Sequence, residues 1–365
     1  MKKLIILGGG YGGMTLLSRL ISNLPYNIMV ILIDKAPYHF LKTEFYALAA
    51  GTVSDEHIRV PFPKHPQVSI LNTEVASIDR SVNAVNLVNG ESIEYDDLVI
   101  GLGCEDNFHG ITGAAEFTHS IQTKSKTQKT YTELNNLAAG AKVAIIGGGL
   151  SGVELASELA ENRPDLNITL FDRGSTILSS YPPKVSAYVE KWFEDHHVDL
   201  HKNSNITLIE ENTVFNKEDP LPFDCIVWTA GVMPSKIVAD LTVAKDKKGR
   251  ILLTDLHHLP ADDKIFVVGD CASLNLPPSA QLAEKQAEQV AAVLIARWKG
   301  AKPPSLPPIK LKGILGSLGK KHGFGLVANT ALTGRIPRIL KHSILWKDKN
   351  KKKLIHSVYK KWTKR

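Results

Sequence analysis

The sequence predicts an α/β protein with two similar nucleotide-binding units, followed by a basic amphipathic helical segment at the C-terminus. Two glycine-rich turns support this prediction, each after a short apolar run, one near residue 8 and one near residue 147. An acidic residue follows each turn at nearly the same distance. The charge is also segregated, because residues 1–288 hold 36 acids and 25 bases while residues 289–365 hold one acid and 19 bases.

The composition is that of a folded protein of two or three domains. Hydrophobic residues make up 43% and charged residues 22% of the 365 residues, which is enough to form cores. Cys104, Cys225 and Cys271 are far apart, which argues against a disulfide scaffold or a zinc site and fits a reducing compartment. No run approaches the roughly 20 apolar residues that cross a bilayer, and the opening apolar run, Leu4–Leu7, is too short for a signal peptide.

The first unit begins with a predicted buried strand over Lys3–Leu7. The turn "GGGYGG" follows at residues 8–13, and residues 14–24 have helical spacing. "NIMVILID" is the next predicted strand and ends at Asp34, and "EYDDLVIGLG" closes the unit at Gly103. The order strand, glycine turn, helix, strand is that of a Rossmann-like unit.

The second unit repeats this plan. "KVAIIGGGLSGVELASELA" is predicted to form a strand, a turn and a helix, "NITLFD" is a strand that ends at Asp172, and "FDCIVWTAG" closes the unit at Gly231. The last motif glycine precedes the acid by 21 residues in the first unit and by 20 in the second. Two matched copies form an internal repeat, which makes coincidence a poor explanation.

Each turn has the residues that a dinucleotide needs. In GxGxxG the first glycine allows a tight turn, the second lets a pyrophosphate approach the backbone, and the third lets the helix pack closely on the sheet. The phosphates lie at the helix N-terminus, and the later acid binds a ribose diol. The first set comprises Gly8, Gly10, Gly13 and Asp34, and the second comprises Gly147, Gly149, Gly152 and Asp172.

The rest of the chain contains further predicted elements. "GRILLTD" at 249–255 and "KIFVVGD" at 264–270 are predicted strands, and residues 280–298 are predicted to form one long helix. A proline-rich linker at 302–308 then leads to the basic tail.

With these motifs in place, the sequence resembles the two-dinucleotide-binding, glutathione-reductase-like flavoproteins, and among them the type II NADH dehydrogenases (NADH:quinone oxidoreductases). The resemblance covers about residues 3–300. The matching segments, in order, are "LIILGGGYGG", "YHFLKTEFYALAAG", "YDDLVIGLG", "IIGGGLSGVELASEL", "IVWTAGV", "IFVVGD" and "PPSAQLA".

The resemblance implies that FAD binds in the first unit and NADH in the second. Besides the turn residues, it places Lys35, Gly103, Asp270 and Ala280 at FAD and Gly231 at NADH. Glu154 would face the nicotinamide, with an ordinary helix glutamate as the alternative. We assign residues 1–112 and 240–300 to a discontinuous FAD domain, residues 113–239 to an NADH domain, and residues 301–365 to a membrane-surface segment.

The choice between NADH and NADPH depends on two neighbouring residues. Asp172 would repel a 2′-phosphate and bind a 2′-hydroxyl, which favours NADH. Arg173 could accept that phosphate, which keeps NADPH open. A second alternative concerns the helix that opens near Ser279, which could stabilise reduced flavin through its N-terminus or could simply pack.

The family passes electrons from flavin to a membrane quinone, here of the menaquinone type. Two glutamines four residues apart line the quinone entrance in the family. Gln281 matches the first and is a candidate catalytic residue, but Lys285 replaces the second. Lys42, Thr43 and Glu44 also depart from the family pattern. All of these departures fall on the side of the flavin where the electron acceptor is expected. No redox cysteine pair lies beside the flavin position, so electrons are expected to leave the flavin directly.

The basic tail predicts contact with an anionic membrane surface through residues 335–365. Residues 335–346 have helical spacing, with apolar residues on one face and basic residues on the other, and residues 351–364 repeat the scheme. We therefore expect a peripheral protein at the cytoplasmic face of the cell membrane. In the alternative, the helix packs on the body or on the partner in a homodimer. Nucleic acid is not an expected partner, because no binding motif accompanies the tail.

Two other functions remain open from the sequence. One is a soluble NAD(P)H-dependent reductase that hands electrons to a small acidic redox protein docked on the basic tail. The other is a flavin-binding sensor with little turnover, in which Lys42, Glu44 and Lys285 have closed the acceptor site.

Overall fold

The computed structural model describes residues 1–346. Its first part joins a parallel sheet to helices and to small antiparallel sheets. The elements are β1 (Lys2–Leu7), α1 (Tyr11–Leu20), β2 (Ile28–Asp34), β3 (Tyr38–Phe40), α2 (Phe45–Ala49), β4 (Arg59–Pro61), β5 (Val68–Asn72), β6 (Val75–Asp79), β7 (Ala84–Leu87), β8 (Ser92–Glu94), β9 (Asp97–Ile100) and β10 (Cys104–Asp106). Short 3-10 turns occupy Ile21–Asn23, Lys42–Glu44 and Asp55–Ile58.

The middle part repeats the arrangement of sheet and helices. Its elements are α3 (Ala114–Phe117), β11 (His119–Ser120), α4 (Lys124–Asn136), β12 (Lys142–Ile146), α5 (Leu150–Asn162), β13 (Asn167–Phe171), α6 (Pro183–Asp195), β14 (Asp199–His201), β15 (Ile206–Glu210), β16 (Thr213–Asn216), β17 (Asp219–Pro222), β18 (Cys225–Trp228) and β19 (Val232–Pro234).

The chain then returns to the first sheet through α7 (Lys236–Asp240), β20 (His258–Leu259), β21 (Asp262–Val267) and α8 (Ala280–Trp298). The prediction of a strand at 249–255 is wrong, since within this range only Ile251 forms β-bridges, to Lys245 and Ala272. The backbone turns on both sides of this residue. Gly249 has a φ of +78°, and the Thr254 N–H donates to the His258 carbonyl at 3.0 Å.

Two parallel sheets carry the two glycine turns. The first has the strand order β20-β21-β9-β1-β2-β5, and the second has the order β11-β18-β12-β13-β14. The central strands β1 and β12 are each flanked by parallel neighbours on both sides. Because both glycine turns follow the carboxyl ends of these strands, they occupy the edge where ligands bind in doubly wound sheets.

The described part of the tail contains a small sheet and a helix. Strands β22 (Gly313–Leu318), β23 (His322–Val327) and β24 (Thr330–Gly334) form an antiparallel sheet, which the sequence analysis did not anticipate. Its glycines allow close packing, since a Cβ added at Gly316 would lie 2.4 Å from the ring of Phe324. Helix α9 follows at 335–346, as predicted. The second amphipathic repeat, at 351–364, lies outside the described residues.

The largest hydrophobic core joins these parts. It contains Leu4 and Ile6 of β1, Val153 of α5, and Leu318 and Phe324 of the tail sheet. Burial of such side chains contributes about 1.5–3 kcal/mol each. The tail sheet is therefore fixed against the body, and it carries α9 to the region between the two glycine turns.

Candidate active site

The first glycine turn forms an open cradle at the start of α1. Gly8 has a φ of +93°, and a Cβ added at Gly13 would lie 1.9 Å from the Gly8 carbonyl oxygen. A Cβ at Gly10, by contrast, would meet nothing within 4 Å. The backbone at Gly10 therefore faces open space beside a helix N-terminus, which suits a pyrophosphate.

Asp34 ties this turn to the end of β2. Its Oδ2 accepts a hydrogen bond from the Gly9 N–H at 2.6 Å, and its Oδ1 accepts one from the Ala36 N–H at 2.7 Å. Asp34 and its neighbour Lys35 line a cavity of about 610 Å³ that also contains Gly8 and Gly10. We call this the loop cavity, and it suits an adenosine half with its ribose at Asp34.

A second cavity, of about 380 Å³, continues from the loop cavity and is called the central cavity. The two share Gly10, Phe40, Lys42, Phe45 and Cys104. The central cavity also reaches three sequence-predicted residues, Asp270, Ala280 and Glu154. Gly103 lines both cavities. Together the two cavities form a trough that connects the glycine turn to α8.

In this trough, the carboxylate of Asp270 is hydrogen-bonded to a cysteine thiol. The Cys104 thiol donates to Asp270 Oδ2 at 3.0 Å, and Lys42 Nζ lies 3.4 Å from Cys104 Sγ. Burial raises the pKa of Cys104 to about 12, so the thiol stays protonated and poorly nucleophilic. Cys104 is half-buried, Cys225 and Cys271 are buried, and all three are unpaired.

The second glycine turn has the same construction as the first. Gly147 has a φ of +116°, a Cβ at Gly152 would lie 1.9 Å from the Gly147 carbonyl oxygen, and a Cβ at Gly149 would meet nothing within 4 Å. Leu150 and Ser151, the first residues of α5, line the central cavity. The N-termini of α1 and α5 therefore both open on this one cavity.

Asp172 occupies the position that corresponds to Asp34. Its Oδ2 accepts from the Gly148 N–H at 2.8 Å and its Oδ1 from the Gly174 N–H at 2.6 Å. Arg173 beside it is exposed. Gly231 has a φ of +106° and follows Ala230, whose carbonyl accepts a 2.7 Å hydrogen bond from His109 Nε2.

Glu154 is buried and is paired with Lys341, which the sequence alone does not predict to be a site residue. Its Oε1 lies 2.5 Å from Lys341 Nζ and accepts from the Ser317 N–H at 2.8 Å. Lys341 also donates to the Tyr46 hydroxyl at 2.9 Å and to Ser317 Oγ at 3.1 Å. Burial alone lowers the pKa of Lys341, but the attraction of Glu154 and other nearby acidic groups outweighs this effect and raises it, so the lysine is a cation.

Helix α9 turns Arg338 and Lys341 toward the body, whereas its other basic residues and most of its apolar residues face outward. Arg338 Nη2 donates to the buried Glu158 Oε1 at 3.1 Å and Arg338 Nη1 bonds Ser317 Oγ. The sequence predicts one basic face and one apolar face but does not determine which of them meets the body. The exposed apolar residues are Ile336, Ile339, Leu340, Ile344 and Trp346.

Gln281 and Lys285 of α8, at the positions expected for the two glutamines, do not line the central cavity. Ser279 caps the helix by accepting from the Leu282 N–H at 3.2 Å. Gln281 Oε1 accepts from the Lys312 N–H at 2.5 Å and does not line the central cavity. Lys285 pairs with Glu288 at 2.7 Å, and Gln286 is buried against the Gly269 N–H at 2.9 Å. The structure thus brings Glu154, but not Gln281, to the central cavity.

Comparison with known proteins defines the class. The family model described as pyridine nucleotide-disulphide oxidoreductase matches residues 2–287, and the chain belongs to this family. It is 58% identical over 352 residues to the NADH dehydrogenase-like protein YutJ of Bacillus subtilis, covering 96% of this chain and 99% of that protein. It is 27% identical over 380 residues to the type II NADH:quinone oxidoreductase of Staphylococcus haemolyticus, covering 94% of each.

Solved structures share the fold. The NDH2 of Plasmodium falciparum in complex with NADH matches with a TM-score of 0.83 at 17% identity, over 99% of this chain and 98% of that chain. The sulfide:quinone oxidoreductase of Aquifex aeolicus matches with a TM-score of 0.80 at 22% identity, over 96% and 92%. The predicted fold class and the resemblance to type II NADH dehydrogenases are confirmed, and the chain is an oxidoreductase of the NADH dehydrogenase type.

Proposed function

We propose that this protein is an FAD-dependent NADH dehydrogenase that passes two electrons to a membrane quinone of the menaquinone type. The observation that carries the proposal is the shared central cavity. The first turns of α1 and α5, each preceded by an open glycine, both line it. Two dinucleotides bound at these turns would meet there with their reactive rings.

The residues of the trough fit FAD. Gly8 and Gly13 form the tight turn, Gly10 leaves room for the pyrophosphate, and Asp34 with Lys35 would border the adenosine ribose. Asp270, beside Gly103, is placed for the ribityl chain, and Ala280 starts the helix whose N-terminus faces the same cavity. When bound, FAD would supply hydride acceptance and electron release, and the α8 N-terminus would stabilise negative charge on it.

The second turn fits a nicotinamide nucleotide. Gly147 and Gly152 form the tight turn, and Gly149 leaves the N-terminus of α5 open to phosphate. Asp172 favours NADH over NADPH because its carboxylate repels a 2′-phosphate. Glu154 lies five residues beyond Gly149, on the wall of the central cavity. Its role is to border the nicotinamide and to hold Lys341.

The acceptor is proposed to be a quinone, as the name of the Staphylococcus haemolyticus relative states for that protein. A thiol relay does not fit this chain, because burial raises the pKa of all three cysteine thiols. The outward apolar face of α9 suits a lipid surface, which supports a peripheral membrane protein. The cytoplasmic face is part of the proposal. No helix within residues 1–346 is long and apolar enough to cross a bilayer.

The test is anaerobic spectroscopy of the purified full chain. We expect a yellow protein whose flavin absorbance is bleached by NADH and recovers on addition of menadione. If NADPH but not NADH bleaches the flavin, the hydride donor is NADPH instead of NADH. A colourless protein that takes up no FAD, or a flavin that neither nucleotide bleaches, would overturn it.

A further inference from the structure

The loop cavity and the central cavity meet at a junction that contains a basic side chain. We call the residues that line both cavities the junction; they include Gly10, Phe40, Lys42, Phe45 and Cys104. In the proposed function, the adenosine half of FAD occupies the loop cavity and its flavin ring reaches the central cavity. The pyrophosphate joins these two halves, so it passes through the junction.

Lys42 is the one basic residue lining the two cavities that forms no ion pair within residues 1–346. The other basic residues that line them are all paired: Lys35 with Glu74, Arg59 and Lys124 with Asp55, and Lys341 with Glu154. Lys42 is half-buried, and a charge partly withdrawn from water favours an opposite charge beside it. The junction therefore holds a cation that an anionic ligand could neutralise.

The Cys104 thiol bridges Lys42 and Asp270. Lys42 Nζ donates to Cys104 Sγ at 3.4 Å, and the thiol donates to Asp270 Oδ2 at 3.0 Å. Since burial keeps this thiol protonated, its hydrogen is directed to Asp270 and its sulfur accepts from Lys42. Lys42 Nζ makes no other hydrogen bond within residues 1–346. The remaining N–H groups of the ammonium are therefore available to a ligand.

The N-terminus of α1 opens on the same junction. Gly10 is the N-cap of this helix, no side chain caps the helix there, and a Cβ at Gly10 would meet nothing within 4 Å. The N-terminus of a helix acts as a positive charge of about half an elementary unit. The pyrophosphate of FAD is a dianion at neutral pH, so the helix alone does not balance it. Lys42 supplies a full positive charge at the same place.

We propose that Lys42 binds the pyrophosphate of FAD and that Cys104 is a positioning residue, which holds the ammonium group at the junction; this inference rests on the proposed function. Lys42 lies outside the glycine motif, on the 3-10 turn Lys42–Glu44, so no spacing in the sequence predicts this contact. The thiol bridge also keeps Asp270 from pairing with Lys42, which leaves Asp270 available to the ribityl hydroxyls.

The first test measures the affinity of the full chain for FAD. Dilution of the purified holoprotein releases FAD, and the fluorescence of the free FAD gives its dissociation constant. We expect Lys42→Met to raise this constant at least about tenfold, because a charge-assisted hydrogen bond to phosphate is lost. Lys42→Arg keeps the charge and should stay within about threefold of wild type.

Lys124→Met is the matched control for Lys42→Met. Lys124 also lines the loop cavity, but its charge is already paired with Asp55, so we expect FAD affinity to stay at the wild-type value. Equal dissociation constants in Lys42→Met and Lys124→Met would overturn the proposal. Lys42→Gln, which also removes the charge, replaces Lys42→Met in this comparison if Lys42→Met does not fold.

Ionic strength separates a charge contact from a loss of packing. Added salt should weaken FAD binding by wild type, because it screens the attraction between Lys42 and phosphate. This salt dependence should be clearly smaller in Lys42→Met and should persist in Lys42→Arg. A salt dependence that is the same in wild type and Lys42→Met contradicts a contact between Lys42 and the pyrophosphate.

A double-mutant cycle tests the positioning role of Cys104. Cys104→Ala should weaken FAD binding severalfold, because Lys42 loses its hydrogen-bond partner, but should have a much smaller effect in Lys42→Met. Cys104→Ser keeps a group that accepts from Lys42 and donates to Asp270, so it should retain most of the affinity. If Cys104→Ala has the same effect with and without Lys42, Cys104 does not act through Lys42.

The two proposals fail separately. If wild type holds FAD but neither NADH nor NADPH bleaches it, the dehydrogenase proposal is wrong, whereas the affinities of the Lys42 variants still test the pyrophosphate contact. If NADH bleaches the wild-type flavin and Lys42→Met binds FAD as tightly as wild type does, only the role of Lys42 is wrong.

Discussion

At the scale of single residues, the glycines within each turn have two different roles. Gly13 and Gly152 cannot take a Cβ, because it would lie 1.9 Å from a carbonyl oxygen of the same turn. Gly10 and Gly149 can, since nothing lies within 4 Å. Gly13 and Gly152 are therefore required for the turn to fold. Gly10 and Gly149 instead leave space for a ligand that binds at the turn.

This division predicts separable losses of the two nucleotides. Gly149→Ala should keep the fold and the FAD content but weaken NADH binding by about 1–3 kcal/mol, because the methyl group displaces the pyrophosphate and costs its hydrogen bonds. Titration of the flavin by NADH measures the change. Gly10→Ala is the matched variant and should lower FAD content instead. Equal NADH affinity in Gly149→Ala and wild type would contradict the second cradle.

Glu44 predicts an unusual pH dependence of stability. Its pKa is about 7 in the folded chain against the ordinary value of 4.5, so the folded state binds more protons between these values. The unfolding free energy should fall as pH rises from 4.5 to 7, by at most about 3 kcal/mol, and then level off. Urea unfolding of wild type and Glu44→Gln compares the slopes. If the unfolding free energy of Glu44→Gln falls with pH as steeply as that of wild type, other groups cause the pH dependence.

At the scale of elements, α9 is attached by charge and not by its apolar face. Arg338 and Lys341 reach Glu158 and Glu154 of α5, while Ile336, Ile339 and other large apolar side chains stay exposed. Buried ion pairs add little net stability but cost much when one partner is removed. The attachment therefore specifies the orientation of the helix.

Removing Lys341 should release the helix. Lys341→Met leaves Glu154 buried and unpaired, so we expect a loss of about 3–5 kcal/mol and fast hydrogen exchange over residues 335–346. Mass spectrometry of exchange measures it. Adding Glu154→Gln should restore most of the protection, because no uncompensated charge remains. Protection unchanged in Lys341→Met would show that packing alone holds α9.

At the scale of the whole molecule, charge and apolar surface are separated in space. The body is acidic and the tail basic, and the inward basic residues of α9 use part of that positive charge inside the fold. What the helix presents outward is an apolar stripe. Membrane attachment should therefore depend on hydrophobic insertion at α9 as well as on attraction of anionic lipid.

Vesicle flotation tests this arrangement. Ile339→Glu with Ile344→Glu should reduce binding to phosphatidylglycerol-containing vesicles at least about tenfold, because two charges enter the interface with lipid. Val82→Glu with Val88→Glu, at exposed residues of the body, is the control. NADH bleaching should be unchanged in both. Full binding by the α9 variant would place the membrane contact elsewhere.

The sequence alone determined the two Rossmann-like units, their glycines and acids, and the helix at 280–298, because these depend on local spacing: a tight turn needs glycine, and an amphipathic helix needs its period. It could not show that residues 249–255 form no strand, since only Ile251 makes β-bridges there. It also could not predict the tail sheet, because its glycines interrupt the alternation of apolar and polar residues. Only the tertiary structure decided that Lys341 meets Glu154, that Glu44 lies 3.8 Å from Lys341, and that Gln281 accepts from the backbone of Lys312. These contacts join residues separated by 31 to 297 positions in the chain, and the apolar period of α9 is the same whether its charged face meets water or a buried carboxylate.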